Sequence, residues 1–159
     1  MACFDSYDRF YDKAMEAYYS TNKIKPEDLS DEQNKTIIDR ACIHIGFYIT
    51  WIIKHNLQGD MHNKYESEDL EKVRKQERTG VDFFLTCCDG NLWDEDFNER
   101  GLAFTEYYYA SGQFIKDYID FVLNELCDLP CEFAFKWEDY IKFEIILDRR
   151  YKEFCKNKK

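Results

Sequence analysis

Apolar residues recur along most of this chain at the 3.6-residue period of an amphipathic helix. Tyr7, Tyr11, Ala14 and Tyr18 make one stripe and predict a first helix over about residues 5–19. After a polar loop around Pro26, Ser30 and Gln33 form a capping-box pair that opens a second helix. That helix, about residues 31–56, carries Ile37, Ile38, Ala41, Ile45, Tyr48, Ile49 and Ile52 on one face. Phe47, Trp51 and Ile53 extend its apolar surface nearly all the way round. A helix apolar on every side is packed by others, so this segment is predicted to be central, with Ile45, Ile49 and Ile52 fully buried. Gly46 in its interior costs about 1 kcal/mol relative to Ala, which predicts a close helix crossing there.

Residues 67–76 read differently. Only Leu70 and Val73 are apolar, while Glu68/Lys72 and Glu71/Lys75 are i,i+4 pairs, so an outer, solvated helix is expected. Thr79 and Asp82 signal the cap of a short helix through Val81, Phe83, Phe84 and Leu85, and Asp89-Gly90-Asn91 is a turn. Phe104, Tyr108, Ser111, Ile115, Tyr118, Ile119, Val122 and Leu126 share a helical face, with a break expected at Ser111–Gly112. A loop with Pro130 leads to a last helix over about 136–154, striped by Trp137, Tyr140, Ile141, Ile145, Tyr151 and Phe154. Residues 131–135 could form a strand, but one without an obvious partner. With 6 Gly, 2 Pro, no repeat and no linker, the expectation is one all-α domain over residues 1–159, a compact bundle of about five to seven helices.

Composition adds surface character to this picture. Aromatic residues make up 18% of the chain, and the polar tips of Tyr and Trp suit protein interfaces. The formal net charge of -10 argues against nucleic acid and against anionic membrane surfaces, and it suits a basic protein partner. No stretch reaches the roughly 18 apolar residues of a membrane span, since the run 41–53 is flanked by Arg40 and Lys54. An acid stands at Asp5, where a signal peptide carries positive charge, so a cytoplasmic location is expected. The 7 cysteines are then read as thiols.

Catalytic and metal signatures are sparse. Cys127 and Cys131 are spaced C-x3-C and Cys87-Cys88 are adjacent, but no second close pair completes a zinc knuckle. The stretch from Asp89 starts like a calcium loop and fails, with Trp93 at the fifth place, Asp94 where Gly belongs and Arg100 at the twelfth. Neither G-x-S-x-G nor H-E-x-x-H occurs, and no Gly-rich loop is present to cradle phosphate. No catalytic residue, metal or cofactor is therefore assigned. His44, Gly46 and Trp51 are expected to brace the central helix, the alternative being a small-ligand or enzyme site around His44, Tyr48 and Trp51. The usable feature is acidic: Asp82, Asp89, Asp94, Glu95, Asp96 and Glu99 occur between residues 79 and 99 with no Lys or Arg among them. With Trp93, Phe97, Tyr107 and Tyr108 as apolar anchors, Asp89, Asp94, Glu95, Asp96 and Glu99 are expected to form a partner-binding patch.

The run from His44 to Ile53, followed by His55-Asn56-Leu57, resembles a His-x-Gly-aromatic…Trp…Leu helix of small, acidic, helical bacterial proteins of unknown function. Arg78-Thr79-Gly80, Cys88-Asp89-Gly90, Asp94-Glu95-Asp96, Asn98-Glu99-Arg100-Gly101, Tyr107-Tyr108-Tyr109, Trp137-Glu138-Asp139-Tyr140 and Asp148-Arg149-Arg150-Tyr151 are similar as well. The family's first-helix Asp-Asp-Ala followed by His stands here as Asp12-Lys13-Ala14 with Glu16-Ala17. By analogy, the resemblance implies an immunity-type protein that binds and neutralises a cognate, basic bacterial toxin and is not an enzyme.

Overall fold

A computed structural model describes residues 1–157. Strand β1 (Cys3–Ser6) precedes α1 (Tyr11–Asn22), α2 (Asp31–Ala41), α3 (Ile43–Lys54), α4 (Asp60–Tyr65), α5 (Ser67–Arg74) and α6 (Gly80–Cys87). Then come β2 (Asn91–Trp93), a 3-10 turn (Asp94–Asp96), α7 (Glu99–Phe104), a π-helical turn (Thr105–Tyr109), α8 (Gln113–Asn124) and α9 (Trp137–Asn157). The class is all-α, with nine α-helices and one two-stranded sheet among the described residues.

The expected central helix is two helices. The chain turns by 63° at Cys42, whose N–H reaches only back to the Asp39 carbonyl, and α3 begins there. No Gly or Pro marks the bend. Its cause is tertiary: Ile37 and Ala41 of α2 pack with Ala14 and Cys131 in a small cluster under α1, whereas α3 enters the main core. Every residue of α3 from Ile43 to Ile53 is buried, including Ile45, Ile49 and Ile52 as predicted. The capping box at Ser30 and Gln33 is present, with Ser30 Oγ accepting from the Gln33 N–H and Gln33 Oε1 from the Ser30 N–H. No single helix among the described residues is long and apolar enough to cross a membrane, and the bent α2–α3 pair passes that test by length and composition only.

The glycine crossing is real. Helix α3 packs most extensively against α6. A methyl group on Gly80 would overlap the Gly46 carbonyl and the Thr50 hydroxyl, and one on Gly46 would lie 2.9 Å from the Val81 nitrogen. Thr50 Oγ1 donates to the Gly46 carbonyl at 2.6 Å, in the same crossing.

Three other boundaries differ from expectation. Helix α1 begins at Tyr11 because residues 3–6 pair antiparallel with β2, Cys3 opposite Trp93 and Ser6 opposite Asn91. Residues 131–133 form a turn and bends, with Cys131 at φ 70, and no strand forms over 131–135. In α9 the inward stripe is Tyr140, Phe143, Leu147 and Phe154, while Ile141 and Ile145 are exposed. Both stripes have helical spacing; the aromatic one meets Phe47, Phe114 and Phe121 and buries more surface. Gly112, at φ 88, makes the expected break before α8.

Candidate functional site

The acidic segment divides on folding. Asp89 and Glu95 are exposed, Trp93 and Asp94 half-buried, and Glu99 exposed in the first turn of α7. Asn98 caps that helix, its Oδ1 accepting from the Gly101 N–H at 2.8 Å. Asp96 is not a solvated acid. It is 5% exposed, and its Oδ2 accepts from the Trp93 N–H at 2.7 Å, which closes the 3-10 turn over its own carboxylate. Phe97 and Tyr108 are buried as well, against the expectation that they anchor a partner. Phe97 packs on Phe4 and Tyr48. Tyr108 is turned in by the π-helical turn, which adds a residue to the helical register and buries adjacent Tyr108 and Tyr109 together. Tyr107 stays exposed, its ring against Phe154.

The surface left is organised by α7. Glu99 lies exposed on it, Glu95 is exposed in the 3-10 turn before it and Glu106 in the π-helical turn after it. Leu102 borders an open groove with Met1, Asp94 and Glu95, and Ala103 borders another with Asn98, Glu99, Arg100, Phe154 and Cys155. Among the described residues none of Asp89, Asp94, Glu95, Glu99 and Glu106 is ion-paired. Arg100 bonds to the Tyr151 hydroxyl and to Cys155 Sγ. The structure therefore sets Asp94 and Glu95 at the Leu102 groove and Glu99 at the Ala103 groove, leaves Tyr107 exposed beside Phe154, and takes Asp96, Phe97 and Tyr108 into the interior.

On α3, His44, Tyr48 and Trp51 are all buried, and their polar atoms go to three different elements. His44 Nε2 meets Asp5 Oδ2 of β1 at 3.0 Å, the Tyr48 hydroxyl meets Thr105 Oγ1 at 2.9 Å, and Trp51 Nε1 donates to Asp148 Oδ1 of α9 at 2.9 Å. Asp5 also accepts from the Tyr109 hydroxyl at 2.5 Å, from Arg9 at 3.1 Å and from the Ser6 N–H at 2.9 Å. Burial works to raise its carboxyl, but His44 and Tyr109 outweigh it and hold the pKa below the ordinary value. Gly46 supplies the helix crossing.

A second polar cluster has no counterpart in the sequence reading. His62 of α4 is 4% exposed, with Nδ1 2.7 Å from Glu66 Oε2 and Nε2 2.8 Å from Asp96 Oδ1. Cys88, the C-cap of α6, places Sγ 3.9 Å from the same Nε2. Burial pulls the imidazole down, but its two carboxylate partners more than compensate and raise its pKa. Burial, then the neighbouring Asp96, pushes the Cys88 thiol well above the ordinary value. The His62–Glu66 contact spans one helical turn and is readable as an i,i+4 pair. Asp96 and Cys88 stand 34 and 26 residues away, and local spacing gives no sign of them.

No curated protein and no solved structure matches the chain. A family model does match residues 9–133, the larger part of the molecule, including α3, the acidic segment and the His62 cluster, while Asp5, Ser6 and Asp148 of the other cluster lie outside it. The chain therefore belongs to the family described as domain of unknown function DUF7832.

Proposed function

We propose that this protein is a non-enzymatic binding protein of the immunity type, which covers a basic surface of a cognate bacterial toxin with the face built on α7. The observation that carries the reading is the set of exposed carboxylates on α7 and the turns that flank it, Glu95, Glu99 and Glu106, with no cation among the described residues paired to them. Glu95 borders a groove with Leu102, Glu99 another with Ala103, and Glu106 precedes the exposed Tyr107 in the chain. Unpaired surface charge of one sign speeds encounter with a partner of the other, and an aromatic with half its area in water gives buried contact once the partner docks. The net charge of -10 works in the same direction at longer range.

The test uses a triple variant, Glu95→Gln with Glu99→Gln and Glu106→Gln, against the product of the neighbouring gene. Asp96 is left intact because it is part of the interior. Association should slow by about tenfold or more at low salt and lose much of its salt dependence, since such attraction is screened over about 8 Å at physiological ionic strength. Thermal stability should be unchanged, because exposed carboxylates hold little of a fold together. An unchanged association rate removes α7 from the interface. A neighbouring gene that encodes no secreted toxin, or a toxin that does not bind, overturns the immunity reading.

A further inference from the structure

We propose that His62, Cys88 and Asp96 form a binding site for a thiophilic divalent cation of the zinc class. One imidazole nitrogen, one thiol sulfur and one carboxylate oxygen, from α4, the end of α6 and the 3-10 turn, lie within 4.8 Å of one another, and all three residues are buried. Nitrogen, sulfur and oxygen donors together select zinc or cobalt over magnesium and calcium, which take oxygen.

The separations fit a metal of that size. With bonds of about 2.0–2.1 Å to nitrogen and oxygen and about 2.3 Å to sulfur, a tetrahedral ion sets N···O near 3.3 Å and N···S near 3.6 Å. The protein has 2.8 Å between His62 Nε2 and Asp96 Oδ1, and 3.9 Å between that nitrogen and Cys88 Sγ. Shifts of about half an ångström or less convert one arrangement into the other.

The surrounding groups already aim the donors. His62 Nδ1 faces the Glu66 carboxylate, the outer contact that fixes ring orientation in metal-bound histidines. Asp96 keeps Oδ1 for the cluster because Oδ2 is held by the Trp93 N–H. Gln58, whose backbone bridges to Phe97 beside Asp96, has Oε1 buried with no donor, so this corner of the molecule is rich in acceptors. Charge also closes: a divalent ion, the Cys88 thiolate and the Asp96 carboxylate sum to zero around a neutral imidazole. Binding would release the thiol proton of Cys88 and the Nε2 proton of His62 to solvent, leaving the Nδ1 proton on the imidazole and donated to Glu66. The site lies beneath the turn that carries Asp94 and Glu95, yet it stands or falls without any partner protein.

Cobalt is the probe. Reduced, metal-free protein should take up one cobalt ion per chain and develop the near-ultraviolet thiolate-to-cobalt absorption. Cys88→Ser should abolish that band and Cys87→Ala should leave it. Glu66→Gln, at a position reached by solvent, should weaken uptake by roughly 10–100-fold without removing the band. Zinc at about a hundred times its dissociation constant should raise Tm by roughly 5–10 °C. Circular dichroism confirms that each variant is folded, and Glu66→Gln serves if Cys88→Ser is not. Failure to reach a one-to-one endpoint, a band that survives Cys88→Ser, or uptake indifferent to Glu66→Gln overturns the proposal.

Discussion

Asp96 and Glu95 are neighbours with opposite roles, and nothing in their local sequence separates them. One carboxylate is closed over by the Trp93 N–H and His62, and the other is exposed. A run of acids reads as a solvated patch because charge is rarely buried unless it is paired, and here the pairing residue comes from 34 positions away. His44 shows the reverse case. Its place on the face of a fully apolar helix marks it as a bonded structural residue, and only the identity of its partner, Asp5, is hidden, because that residue sits in a segment whose aromatic spacing reads as helix. The consequence is testable: His44→Ala leaves the Asp5 carboxylate, with no exposed side-chain surface, short of its main donor. Stability should fall by about 2–4 kcal/mol in denaturant titration. A change below about 0.5 kcal/mol would show that Arg9, Tyr109 and the Ser6 N–H satisfy Asp5 without it.

Helices are legible where one stretch of chain serves one element, as in α5 and α6, and the caps at Ser30 and Thr79 are legible from side-chain chemistry. They are not legible where two elements compete for one stretch of chain. The bend at Cys42 arises because α2 and α3 serve different clusters, and no residue there announces it. The π-helical turn at Thr105–Tyr109 likewise meets a residue distant in sequence, the Tyr48 hydroxyl on Thr105, which local spacing does not show. The glycine crossing gives the sharpest expectation at this scale. In an isolated helix Gly80→Ala would be stabilising or neutral by propensity, whereas here the added methyl overlaps the backbone of α3. The substitution should cost about 1–3 kcal/mol or more through overpacking, measured by chemical denaturation. A stabilised Gly80→Ala protein would mean that the two helices separate at no cost.

At the scale of the molecule, acid sensitivity should trace to carboxylates held by internal donors rather than to the net charge. Asp117 of α8 accepts from Arg150 of α9 at 2.8 and 2.9 Å and from the Tyr108 hydroxyl at 2.7 Å. Burial works to raise its carboxyl, but these bonds prevail and set it below the ordinary value. A depressed folded pKa means that its contribution is complete above the unfolded value of about 3.9 and fades as pH drops through the folded one. Melting curves should therefore show Asp117→Asn less stable than the parent at pH 7, with the gap closing below about pH 4. A gap of constant size would assign the loss to packing instead. Met1 borders the groove at Leu102, while Phe154 and Cys155 of α9 border the one at Ala103. A segment fused ahead of Met1 through a short flexible linker is held at the rim of the Leu102 groove, at an effective concentration of about millimolar. A cationic purification tag would then act as an intramolecular competitor for the carboxylates, and removing it should tighten any interaction that depends on them.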